Sequence, residues 1–172
     1  MAIFGSLRVL ALTAVLVAMS IVCGKYLAIR GGDILRFSFE NLPILLAGMM
    51  FGPIVGGVAG VAADLIGCVL VGYAINPIVT LGAATIGIVS GILYRITPKL
   101  GVGLRSFFAL TAAHLVGSVL IKTLGLAAFY DMPIGVLMLW RLLNYVIIGA
   151  LEYLLIYAIL KNKAIQSLIA RK

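Results

Sequence analysis

The chain has 172 residues, of which 64% are hydrophobic and 10% charged, with a mean hydropathy of +1.26 and a net charge of +8. A soluble domain carries about 25% charged residues, so lipid must be the solvent of this chain. The positive charge does not mark a nucleic-acid binder, because the bases sit at segment ends and form neither a helix stripe nor a basic run laced with aromatics.

A membrane span needs about 20 mainly apolar residues. Six candidate spans follow, at about 7–29, 40–56, 57–72, 77–96, 104–128 and 134–160. In span one, Arg8 precedes an apolar run without a small-x-small cleavage site and a polar domain behind it, so it reads as a retained helix. Ala14 and Ala18 are spaced by four, with Ala11 nearby. Such a strip packs inside the bundle or, if it faces outward, docks another membrane protein. Cys23 and Cys68 lie in apolar runs outside any CxxC or Cys/His spacing and read as buried free thiols.

Spans two and three are short and are joined through Gly52-Pro53 to Gly57, as a tight hairpin or two short helices. Gly52, Gly56 and Gly60 share a face that also points to Asp64, and Gly87 and Gly91 repeat the spacing in span four. Small residues at this spacing let helix backbones approach closely in lipid. The polar tail after Leu160 continues the last helix.

Arg8, Arg95, Lys99, Arg105, Lys161, Lys163, Arg171 and Lys172 would share one face under six spans, against Lys25, Arg30 and Arg36 on the other. Bases accumulate on the cytoplasmic side. Asp33, Glu40 and Asp131 also fall on the other face, although the rule counts only bases. The expectation is an all-α integral membrane six-helix bundle, both termini cytoplasmic, forming a single transmembrane substrate-binding domain over residues 1–172.

Ionisable residues inside a membrane are costly and usually functional. By the 1.5 Å helical rise, Asp64, Lys122 and Arg141 lie about 9–10 Å below the outer surface on three spans, with Asn144 a turn deeper than Arg141. They line one cavity, or Asp64 pairs with Lys122 or Arg141 as a helix clip. One positive charge remains after pairing, which favours an anionic ligand group. His114 and Glu152 lie deeper, either paired with each other or packed separately; no metal spacing surrounds them.

The stretch Arg36-Phe37-Ser38-Phe39-Glu40-Asn41 forms a polar, aromatic lip before span two. Tyr73 lies in the next outer loop, Asn76 heads span four, and Trp140 adjoins Arg141. Any one aromatic here could be an interface anchor. Together with Glu40, Asn41, Asn76, Lys122 and Arg141, the rings offer stacking surfaces beside hydrogen-bonding groups, which suits a planar, polar metabolite. No phosphate loop, nucleophile elbow or HExxH motif is present. A six-span binder without a motor needs a partner to move its ligand.

The runs RFSFENLPILLAGMMFGP, GGVAGVAADLIGC and NPIVTLGA resemble the folate-family substrate-binding (S) components of energy-coupling-factor (ECF) transporters. The resemblance extends over the whole chain. It implies a vitamin pocket near the outer surface, and a non-enzymatic subunit that associates with a transmembrane coupling protein and two ATPases. Ala14 and Ala18 match the family's docking strip. Folate would be the bound substrate, with no cofactor. A pterin edge presents an N–H and an adjacent NH2, which a carboxylate accepts in bidentate fashion. Asp64 is the preferred acceptor and Glu40 the second. Phe37, Tyr73 or Trp140 would stack on the aminobenzoyl ring. Arg36, Lys122 or Arg141 would meet the glutamyl carboxylates, and Asn76 the heterocycle. The alternatives are another vitamin, a membrane enzyme using Asp64, His114 and Glu152, or a bundle subunit whose charges only pair.

Overall fold

The structure, a computed structural model, describes residues 6–31, 35–130 and 133–170. Asp33, Asp131, Arg171 and Lys172 lie outside the described residues, as do the side chains of Arg30 and Arg36.

The fold is an all-α membrane bundle. Ser6 caps α1 (Leu7–Ile21) by accepting from the Val9 N–H at 3.3 Å. A π-helical turn, Val22–Tyr26, carries α1 onward to its outer end. A small antiparallel ribbon follows, β1 (Ile29–Gly31) with β2 (Leu35–Phe37), pairing Ile29 with Phe37 and Gly31 with Leu35. The hydropathy pattern did not anticipate this ribbon.

The next two helices correct the expected spans. They are α2 (Asn41–Phe51) and α3 (Pro53–Val71), so the break falls at Gly52, the first residue of the expected junction, and the third span starts at Pro53 in place of residue 57. Gly52 has φ +106, a conformation that favours glycine. Pro53 then opens α3, where its missing N–H costs nothing. The Arg95 guanidinium occupies the space a Gly52 Cβ would need and donates to the Phe51 carbonyl at 3.1 Å. A cation at a helix C-terminus also opposes the negative end of the dipole.

Every residue of α2 is buried. At about 16 Å by the helical rise, it is too short to cross a hydrocarbon core of about 30 Å. Its neighbours shield it from lipid.

Gly72, with φ +69, ends α3, and the Tyr73 N–H reaches back to the Cys68 carbonyl at 2.9 Å. Asn76 and Pro77 start α4 (Pro77–Ile96). α3 and α4 touch backbone to backbone. A Cβ on Gly87 would collide with the Gly56 carbonyl, and one on Gly56 would lie 2.6 Å from the Gly48 Cα and the Gly87 carbonyl.

The fifth span is α5 (Val102–Ala113), a π-helical segment His114–Ile121, and α6 (Lys122–Tyr130). The sixth is α7 (Ile134–Lys161), with 28 residues, most of them outside the core. The tail does not continue α7. Asn162 adopts an extended backbone, and α8 (Lys163–Ala170) starts after it. Among the described residues, Leu7–Tyr26, Pro53–Val71, Pro77–Ile96, Val102–Phe129 and Ile134–Lys161 are each long and apolar enough to cross a bilayer.

Candidate functional site

At the outer end of α2, the helices leave a small polar cavity. Its wall is Ser20, Ile21 and Lys25 from the first span, Glu40 and Ile44 around the start of α2, Ala63 and Asp64 from α3, Ala83 from α4, and Lys122 from α6. Its volume is about 20 Å³, room for roughly one water molecule.

Lys122 is 4% exposed. Its Nζ donates to Glu40 Oε1 at 3.2 Å and to Asn41 Oδ1 at 3.3 Å. A buried ammonium costs several kcal/mol to desolvate, roughly, and needs this much compensation. Gly82 makes room for the lysine stem, since a Cβ there would lie 2.6 Å from Lys122 Cγ. Glu40 is fixed through its backbone, because the Ser20 hydroxyl donates to its carbonyl oxygen at 2.6 Å.

Asp64 is half-buried, and its Oδ2 accepts from the Thr80 hydroxyl at 2.6 Å. Lys25 lies at the rim, with its Nζ 5.4 Å from the centroid of the Tyr73 ring. Two carboxylates and two ammoniums thus border one cavity. Such a constellation can accept a donor edge on one side and bind an anion on the other.

The structure therefore brings Glu40, Asp64 and Lys122 together, with Tyr73 beside them. The paired partner of Lys122 is Glu40, in place of the Asp64 clip considered from depth alone. Three other residues are placed differently. Asn76 caps α4, accepting from the Ile78 and Val79 N–H groups at 3.0 and 3.3 Å, and donates to the Gly125 carbonyl at 2.8 Å. Arg141 donates to the Ser118 carbonyl at 3.0 Å, on the π-helical segment. Trp140, on α7, is 41% exposed. None of these three borders the cavity. Phe39 packs against the hydrophobic core and Phe37 ends β2. Arg36 is described only by its backbone, in β2.

Lys25, Ser20 and Thr80 were missed as site residues. Depth counting could have found Lys25 and Thr80, which lie near the outer ends of the first and fourth spans.

The structure does not bring Asp64, His114 and Glu152 together. His114 and Glu152 pair at 2.6 Å, and His114 borders a second, larger cleft. That cleft, about 720 Å³, opens between α5 and α7 among Phe107, Leu110, Leu142 and Leu154. It exceeds the polar cavity in size, but its wall is almost wholly apolar and offers few groups to orient a polar ligand. Phe107 and Leu154 are largely exposed, where lipid surrounds the protein.

Comparison with known proteins agrees with this architecture. Residues 8–169 match the family described as "ECF transporter, substrate-specific component". The chain is 26% identical over 145 residues to "Folate transporter FolT" of Clostridium novyi (strain NT), covering 84% of this chain and 83% of that protein. A solved structure described as "Crystal structure of FolT bound with folic acid" superposes with a TM-score of 0.72 at 27% identity, over 88% of this chain and 92% of that one. With nearly its full length matched, this multi-pass membrane protein belongs to the substrate-specific components of ECF transporters.

Proposed function

We propose that the chain is the folate-binding subunit of an ECF-type vitamin importer, and that the polar cavity beneath the ribbon is its ligand site. One observation carries this reading: Glu40, Asp64, Lys25 and Lys122 border a single cavity. Folate carries both matching chemistries. Its pterin edge presents paired N–H donors for a carboxylate, and its glutamyl group presents carboxylates for an ammonium. The likeness to proteins described as FolT supports the same assignment.

Asp64 takes the pterin, with Glu40 as the second acceptor. Lys122, Lys25 and Arg36 take the carboxylates. Phe37, Phe39 and Tyr73 supply rings near the mouth. Asn76, Trp140 and Arg141 join the site only if binding shifts their helices. A ligand of this size needs a pocket of roughly 300–1,000 Å³, so binding must part the helix ends around a cavity of about 20 Å³.

Mass spectrometry of ligand carried through purification, followed by titration with folic acid in nanodiscs, tests the assignment. Co-purified pterin and affinity in the micromolar range or tighter are expected; neither would leave the reading without support.

The inward step calls for a coupling protein and two ATPases. Ala14 and Ala18 both point away from the bundle, as a docking strip requires. Contacts gather Arg95, Arg105 and Lys161 at one end: Arg95 on Phe51, Arg105 on the Tyr94 carbonyl, Lys161 on Tyr157 beside Gly103. That end is cytoplasmic by the rule for basic residues. Replacing Ala14 and Ala18 with Leu should preserve folate binding and abolish uptake in cells. Uptake at the unmodified rate would make the strip mere surface.

A further inference from the structure

Glu152 is a carboxylate at 0% exposure in the interior of a membrane protein. Such a group is costly and calls for a function. Its Oε2 lies 2.6 Å from His114 Nε2, while its Oε1 has no hydrogen-bond partner among the described residues. A clip between the π-helical segment and α7 could stop at this pair. The hydrogen bonds continue. His114 Nδ1 lies 3.3 Å from the Ser118 hydroxyl. Asn41 Nδ2 reaches the same hydroxyl at 3.5 Å and the Tyr145 hydroxyl at 3.4 Å. The Tyr145 ring stacks on the His114 ring, 4.6 Å between centroids. Asn41 Oδ1 then accepts from Lys122 Nζ, which borders the polar cavity.

The chemistry of the groups sets the direction of this chain. An ammonium only donates, so the Asn41 oxygen must face Lys122 and its NH2 must face Ser118. In the neutral imidazole, with the Glu152 carboxylate accepting from Nε2–H, Nδ1 is the acceptor and takes the Ser118 proton. The Ser118 oxygen is left to accept from Asn41. Each donor thereby meets one acceptor from Glu152 to the cavity wall. Asn41, Ser118, His114 and Lys122 are all buried, so water does not compete for these bonds. Most of the bonds sit on or beside the π-helical segment, a departure from regular helix that often marks functional positions.

We propose that His114 and Glu152 are positioning residues for the ligand site. Through Ser118 and Tyr145 they hold the Asn41 amide, and through Asn41 they hold the Lys122 ammonium where an anionic ligand group meets it. This rests on the reading of the polar cavity as the folate site.

The test is a double-mutant cycle on the full-length protein, titrated with folic acid and followed by Trp140 fluorescence. His114→Ala and Asn41→Ala should each weaken binding about tenfold, the scale of one hydrogen bond to a charged group. The double variant should bind no worse than Asn41→Ala alone. Glu152→Gln, which keeps an oxygen for Nε2–H, should bind nearly as the unmodified protein does, and Glu152→Leu should not. A mere clip would lower Tm and leave affinity unchanged. Additive losses, or unchanged affinity in folded His114→Ala, overturn the inference. If His114→Ala does not fold, Ser118→Ala breaks the chain while sparing the clip, and the same outcomes apply. No binding by the unmodified protein overturns the folate reading and this inference with it; binding with additive losses overturns this inference alone.

Discussion

Between α3 and α4 there is no room for a methyl group at Gly87, whereas between α5 and α7 there is a cleft of about 720 Å³. The first seam is made of Gly56, Gly60, Ala83 and Gly87, and its adhesion is dispersion between backbones in contact. The second is lined by large side chains, with ring contacts such as Phe107 on Tyr153 and the polar bond of His114 to Glu152 holding it. The difference separates a frame from an adjustable part. The polar cavity takes Asp64 and Ala83 from the frame and Lys122 from the π-interrupted fifth span.

The most damaging change should be Gly87→Ala. Its new methyl group meets the Gly56 backbone, which cannot swing aside as a side chain can. Overpacking typically costs about 1–3 kcal/mol, and this site is at the severe end. The expected result is loss of monodisperse protein or a large fall in Tm; a well-folded variant would break the contrast between the seams.

Next in size is Lys122→Met. It removes the ammonium bonded to Glu40 and Asn41. Truncating one partner of a buried charge pair at a binding site costs about 2–5 kcal/mol, so folic acid affinity should fall by roughly a hundredfold or more. Asp64→Asn should lose less, several-fold to about tenfold, since Asn keeps one acceptor oxygen but swaps the other for a donor. Unchanged affinity in either folded variant removes that residue from the site.

The smallest effect belongs to the loose seam. At Gly149 a new Cβ would meet only Leu110, at an ordinary 3.6 Å. Gly149→Ala should raise Tm slightly, by the helix-propensity gain of up to about 1 kcal/mol. A fall in Tm would mean that the seam is tighter in the membrane.

Much of the bundle was legible from hydropathy, because lipid demands long apolar runs. Placing the break at Gly52 was harder. Several glycines crowd residues 48–60, and a count of small residues does not reveal which one turns left-handed. The dipeptide Gly52-Pro53 held the clue, since proline favours the first position of a helix. In the site, depth along each span was readable and the direction each residue faces was not. Asp64 and Lys122 do border one cavity, while Arg141, at similar depth, turns to the Ser118 carbonyl. Asn76 shows the converse. Asn followed by Pro is a helix-start signal, and the structure uses it as one. The ribbon was invisible because its strands are three residues each, too short for their alternation to stand out.

The unequal lengths of α2 and α7 carry a further consequence. α7 has 28 residues, about 42 Å of helix, against a hydrocarbon core of about 30 Å. Facing lipid, it must tilt or extend beyond the core, and its tilt follows membrane thickness. α2, screened on every side, feels no such mismatch. A thinner or thicker bilayer therefore changes the tilt of α7 and bears on the α5–α7 seam, while α2, which holds Asn41 beside Lys122, stays clear of it.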